Sequence, residues 1–200
     1  MENAIYNTQE NSPELWLGNF PALDKETNKY KRGYAFIIGG EQMTGAARLA
    51  ALSAARVGAG ITTIAAPQAA FSIYATSMIS ILVKPFSQIT DLKNLLSDER
   101  ISAFLVGSGL GVSSNTKEQV LAVLATGKPV IIDSDGLNVF SDDLPLLQES
   151  IKSPCVITPH EGEFARLYDF SGDKIARALK AAELINAVVV LKGADTVIAA

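Results

Sequence analysis

The chain has one cysteine in 200 residues, no basic excess and neither of the commonest nucleotide-binding glycine motifs. Each scarcity removes a class of protein. One cysteine permits no intrachain disulfide, and a reducing compartment suits such a chain. Cys155 lies in the apolar run Cys155–Val156–Ile157, where a free thiol behaves as a small core residue rather than a nucleophile. The formal charge of -4 argues against a nucleic-acid binder, which normally carries a basic face. Lysine and arginine are scattered apart from Lys29–Tyr30–Lys31–Arg32, which reads as a solvated face. No apolar stretch approaches the ~20 residues of a membrane helix. Residues 1–14 are polar and acidic, unlike a secretory signal. The expectation is a cytoplasmic protein with no membrane and no nucleic-acid partner.

What is present is a core. Apolar residues make up 48% of the chain, which excludes disorder, and 200 residues suit one domain of ordinary size. Residues 1–30 read as a polar lead-in, with Pro13 and Pro21 discouraging regular structure and Trp16, Leu17 and Phe20 docking onto the body. Residues 31–200 read as the folded domain. Strands are predicted at Tyr34–Ile38, Ile61–Ala65, Ile79–Val83, Ala103–Val106, Val130–Ile132, Val156–Ile157 and Val188–Leu191. Between them come a helix capped by Thr44 and ended by Gly58, one over 91–96, one capped by Ser114, one over 161–168 and one over 173–186. The closing residues, 194–200, read as a further apolar strand. β-Branched runs alternating with helices predict an α/β fold: a mostly parallel sheet covered on both faces, with ligands outside the carboxyl ends of its strands.

Those ends carry the polar and glycine residues. The loop Gly39–Gly40–Glu41–Gln42–Met43–Thr44–Gly45 lacks dinucleotide-fingerprint spacing, and no acid closes the following strand at Ala65–Ala66–Pro67. No glycine–lysine–serine/threonine phosphate loop occurs either. Gly39 to Ala46 still sets amides at a helix start, either an anion site or a tight turn. Gly107–Ser108–Gly109–Leu110–Gly111 permits a close backbone approach to a ligand, or is a plain loop. Asp133 and Asp135 could hold magnesium through water or serve local capping. His160, the only histidine, lies in Thr158–Pro159–His160–Glu161–Gly162–Glu163–Phe164 at the ligand edge, with Glu161 and Glu163 placed to offset a helix dipole. Lys192–Gly193–Ala194–Asp195–Thr196 could meet phosphates, or form a hairpin turn into Val197–Ile198.

In this order the loops 39–60, 107–111, 133–138, 158–167 and 188–198 resemble the ADP/ATP-dependent NAD(P)H-hydrate dehydratase family, over about residues 29–200. The resemblance implies a ribokinase-like fold and repair of hydrated NADH or NADPH, (6S)-NAD(P)HX, with ADP or ATP as co-substrate and Mg2+. It carries substrate contacts to Ala46, Gly109 and His160, and nucleotide contacts to Lys192, Gly193, Ala194, Asp195 and Thr196. It also implies a homo-oligomer. Two departures are small: Gly136 stands where the family commonly has alanine, and Glu161 where it often has proline. The family's catalytic aspartate lies in a later glycine-rich anion hole, and no Gly–Thr–Gly–Asp or Gly–Ser–Gly–Asp occurs here. The expectation is therefore that the pattern is truncated at Ala200 and that these 200 residues alone show little dehydratase activity. A ribokinase-like kinase of a small alcohol and a non-catalytic nucleotide-binding remnant are the other readings.

Overall fold

The computed structural model describes residues 6–21 and 24–200, so parts of the lead-in (1–5 and 22–23) lie outside the described residues. The lead-in is not wholly irregular. Pro13–Trp16 forms a helical turn (α1), continued by a tighter turn over Leu17–Asn19. Pro13 starts that turn because a first helical residue has no N–H partner to lose. Neither turn buries a residue, and Trp16 and Leu17 are exposed rather than docked.

From Tyr34 the elements are β1 (Tyr34–Ile38), α2 (Gly45–Val57), β2 (Ile61–Pro67), α3 (Phe71–Ser77), β3 (Leu82–Phe86), α4 (Ile89–Leu96), β4 (Ala103–Val106) and α5 (Ser114–Leu124). There follow β5 (Val130–Ile132), α6 (Asp135–Asn138), α7 (Leu144–Ser150), β6 (Cys155–Ile157), α8 (Glu161–Leu167), α9 (Lys174–Ile185), β7 (Val188–Leu191) and β8 (Val197–Ala199). One eight-stranded sheet runs β3-β2-β1-β4-β5-β6-β7-β8. All neighbours are parallel except β8, which folds back antiparallel on β7 with Val190 opposite Ile198.

Strand alternation divides the core. Phe36 and Ile38 join Phe104, Val106, Ile132 and Val189 in the larger cluster, packed by α4, α5 and α7–α9. Ile37 faces the opposite side with Ile64, beneath Ala47 and Ala51 of α2 and Tyr74 of α3. Ala47 and Ala51, one helical turn apart, are fully buried, so small side chains bring α2 close to the sheet. This second face is covered over β1–β3. Helices thus lie on both faces, as expected, while further along the second face Ile131 and Ile198 stay exposed and Val156 and Val190 are half-buried. A cavity of about 930 Å³ there is lined by Ala103, Pro129, Cys155 and Val188 at the strands' amino ends, away from the ligand edge. Cys155 is buried and its thiol is pushed up to about 12 by desolvation, so it is inert, as its sequence setting suggests.

Several predicted details move. Ile79 is fully exposed and its strand starts three residues later, at Leu82, because α3, anchored by the buried Tyr74, takes up the preceding chain. Thr44 precedes α2 but already has helical torsions, so its hydroxyl caps nothing. Ser113, not Ser114, caps α5, accepting the Thr116 N–H at 3.1 Å. Helices α6 and α7 lie in a segment where no helix is predicted from sequence.

Candidate active site

The chain leaves β1 towards β2 and β3 on one side and returns through β4 on the other. This reversal opens a crevice at the carboxyl ends of β1 and β4, where open α/β sheets hold ligands. Backbone meets backbone there: a Cβ on Gly40 would overlap the Gly109 carbonyl oxygen. Gly109, at φ 76°, has a conformation that suits glycine, and the Met43 carbonyl lies against it. The Tyr74 hydroxyl donates to the Gly40 carbonyl at 2.9 Å. Burial raises that phenol to about 12, so it stays a neutral donor fixing the wall. Ala46 is exposed in the first turn of α2. A cavity of about 490 Å³ opens here, lined by Gly39, Gly40, Gln68, Phe86, Leu110 and Gln119 among others.

The other half of the edge is organised by Asp133. Its Oδ1 accepts from Thr158 Oγ1 at 2.7 Å and Lys192 Nζ at 2.8 Å, and its Oδ2 from Ser108 Oγ at 2.7 Å. One carboxylate thereby ties together the ends of β4, β5, β6 and β7. Desolvation pushes the Asp133 pKa up, but the three donors and the Lys192 charge outweigh it, so the group sits below the usual carboxylate range. Lys192 is thus ion-paired, its ammonium held at the end of β7 by Asp133. Asp135 points elsewhere, accepting the Gly111 N–H at 2.8 Å. The two acids do not act as a pair, and no group of three or more possible metal ligands gathers among the described residues. The side chains of the described residues therefore do not form a dedicated magnesium cage.

His160 terminates the β6 loop and caps α8. Its Nδ1 accepts from Gly162 N at 2.9 Å and Glu163 N at 3.2 Å, while the buried Glu163 accepts from His160 N at 2.9 Å. This reciprocal arrangement is a capping box. These bonds assign the unprotonated nitrogen to Nδ1, with Nε2 3.5 Å from Glu163 Oε1 and the side chain just over half exposed. His160→Ala should cost about 1 kcal/mol by urea denaturation. His160→Asn should recover most of that while still lacking the imidazole, separating capping from any ligand contact.

Lys192 N donates to Pro159 O at 2.8 Å, pinning the β7 end to the His160 loop. Beyond it, the Gly193 N–H and carbonyl both bond Thr196 Oγ1, at 3.2 and 3.0 Å, closing an exposed turn. Lys174, at the start of α9, reaches Asp195 at 3.0 Å and Glu161 at 3.8 Å, and Arg177 clamps Glu161 at 2.9 and 3.2 Å. Lys174 stands so close to Gly193 that a Cβ there would collide with its ammonium. The lysine's hydrogen bond holds Asp195 below the usual carboxylate range.

The structure brings Ala46, Gly109, His160 and the 192–196 turn to one edge, with Ala46 and Gly109 at the crevice and the other residues beyond Asp133. Sequence reading missed the roles of Ser108, Thr158 and Glu163, although all three stand inside motifs it singled out. Lys174, Tyr74 and Gln119 carry no local signal, since each lies within an ordinary helix.

A family model described as NAD(P)H-hydrate dehydratase matches residues 35–200. The chain belongs to the NAD(P)H-hydrate dehydratase family. It is 39% identical over 183 residues to the bifunctional NAD(P)H-hydrate repair enzyme of Synechocystis sp., covering 86% of this chain and 34% of that protein. It is 32% identical to the ATP-dependent (S)-NAD(P)H-hydrate dehydratase of Bos taurus, covering 89% of this chain and 58% of the relative. The chain thus spans about a third of the length of the bifunctional relatives it matches. The Bacillus subtilis ADP/ATP-dependent NAD(P)H-hydrate dehydratase, co-crystallised with ATP/Mg2+, superposes with TM-score 0.73 at 27% identity, over 90% of this chain and 64% of that one. A ribokinase-like superfamily protein from Enterococcus faecalis superposes at TM-score 0.82 with 23% identity, which supports the ribokinase-like fold alone.

Proposed function

We propose that this dehydratase-family chain forms the substrate- and nucleotide-holding part of an enzyme that repairs hydrated NADH or NADPH at the expense of ADP or ATP. The observation that carries this reading is the family match across 35–200, with a crevice at the switch point and a lysine-led turn on the same edge. Hydroxide is a poor leaving group and phosphate a good one, which gives the nucleotide its purpose. The terminal phosphoryl group passes to the ring hydroxyl; its bond to the nucleotide breaks with the electron pair staying on the nucleotide, and the hydroxyl proton is lost. The ring C–O bond then breaks with its pair leaving on phosphate. Loss of a proton from the adjacent carbon supplies the new double bond.

Such phosphoryl transfer depends on positioning and charge neutralisation rather than covalent chemistry. Lys192 and the amides of Gly193 to Thr196 would face the phosphates, with Asp133 holding the Lys192 ammonium in place. Ala46, Gly109 and His160 would meet the hydrated dinucleotide. Magnesium would enter on the nucleotide's phosphates, since no cage of three or more possible ligands gathers among the described residues. Asp133, Asp135, Glu163 and Asp195 are each held by hydrogen bonds or an ion pair, so none is put forward as the base.

The test is to give the full-length protein hydrated NADH with ADP or ATP. The expected result is nucleotide-dependent recovery of reduced-nicotinamide absorbance with one phosphate released per turnover. Nucleotide consumption without that recovery would favour a kinase, and no reaction with either nucleotide would overturn the reading.

A further inference from the structure

Gln119 presents a polar atom that nothing among the described residues satisfies. It lies on α5, one turn beyond Asn115, and both residues line the crevice cavity. It is 5% exposed, among the buried Val120, Val123 and Leu124, and its Oε1 has no hydrogen-bond partner among the described residues. Buried polar groups are nearly always paired, so each exception requires a cause. Four side chains here have such an atom, and Gln119 alone of these lines this cavity. Leucine would fill the same helix face without the penalty of an unmet acceptor.

The cavity restricts what could supply the missing donor. No lysine or arginine lines it, and its one charged residue is Glu41, so it suits a neutral group rather than a phosphate. At about 490 Å³ it can seat a heterocycle with its ribose. Its rear wall is backbone held by Tyr74 at Gly40.

We propose that Gln119 reads the substrate of the function proposed above, its Oε1 accepting a hydrogen bond from an amino N–H of a neutral ring seated in this cavity. Two parts of the hydrated dinucleotide carry that chemistry: the carboxamide of the nicotinamide ring and the exocyclic amine of adenine. This inference rests on the dehydratase reading for the identity of the ligand.

The experiment measures binding by titration calorimetry without nucleotide, so that no turnover occurs, using full-length wild type and Gln119→Leu. The probes are hydrated NADH, its acetylpyridine analogue (no carboxamide N–H) and its hypoxanthine analogue (no exocyclic amine). Wild type is expected to bind one analogue about tenfold more weakly than hydrated NADH, and that analogue identifies the ring. Gln119→Leu should bind hydrated NADH about tenfold more weakly, lose the discrimination, and melt no lower than wild type. A merely structural glutamine would instead lower the melting temperature and leave discrimination intact, overturning the proposal. Equal wild-type affinity for all three probes also overturns it and needs no variant. Turnover of hydrated NADH by wild type alongside that equality would sink this inference alone; absence of both binding and turnover would sink the functional reading with it.

Discussion

Asp133→Ala is expected to destabilise the protein by about 3 kcal/mol, because one truncation removes both the partner of the Lys192 ammonium and the acceptor of two hydroxyls. For a chain of this size that corresponds to a fall in Tm of roughly 6–12 °C in a thermal melt. The same substitution should weaken adenine-nucleotide binding, since Lys192 would no longer be held at the β7 end. Asp133→Asn separates charge from shape: its carbonyl oxygen can still accept from Thr158 and Lys192, and the Ser108 hydroxyl can turn to accept from its amide. Its loss should therefore be about 1 kcal/mol. Equal losses in the two variants would show that the carboxylate's charge carries the whole effect and that its shape and acceptor geometry contribute nothing.

The same carboxylate makes a pH prediction. Its folded pKa lies below the usual carboxylate range, so its contribution to stability is fully present above its unfolded value of about 4. That contribution is lost as pH falls through the depressed folded value. Asp133→Asn should accordingly flatten the acid limb of the stability curve and leave its neutral region parallel to wild type, in urea denaturation repeated across pH.

Gly107→Ala should be the more damaging of two glycine substitutions in the same loop. At φ 122° the backbone disfavours any L side chain, and the added methyl would overlap the Asp133 carbonyl and stand 2.8 Å from the Gly136 nitrogen. These neighbours are backbone atoms of the β5–α6 turn and cannot swing aside. We expect a loss of at least about 4 kcal/mol, seen as failure to accumulate soluble protein. Gly111→Ala, at φ 77° with open space around it, bears only the torsional strain of about 1 kcal/mol and should remain soluble. Comparable solubility for both would refute the steric argument.

These predictions mark how the sequence and the tertiary structure share the determination of this protein. Tyr34–Ile38, Ala103–Val106, Val130–Ile132 and Val188–Leu191 are legible to the residue, because short apolar β-branched runs punctuated by glycine or charge fit a buried parallel strand and little else. Gly58, at the end of α2, is read correctly because capping depends on a few adjacent residues. The ligand edge is legible too, since a parallel sheet places every strand's carboxyl end on one side. The segment from Phe71 to Val83 misleads, because Tyr74 binds α3 to Gly40, 34 residues away, and no local pattern records that. Long-range pairing likewise sets the chemistry of the edge. Asp133 finds Ser108 and Thr158 25 residues away and Lys192 59 residues away, turning a suspected metal ligand into a structural hub. Gln119 reads as one more polar residue in a helix until α5 is packed and its acceptor is enclosed beside the crevice. Periodicity and capping are written in neighbouring residues and survive in the bare sequence; burial, ion pairing and unmet hydrogen bonds arise when distant segments meet, so the tertiary structure alone decides them.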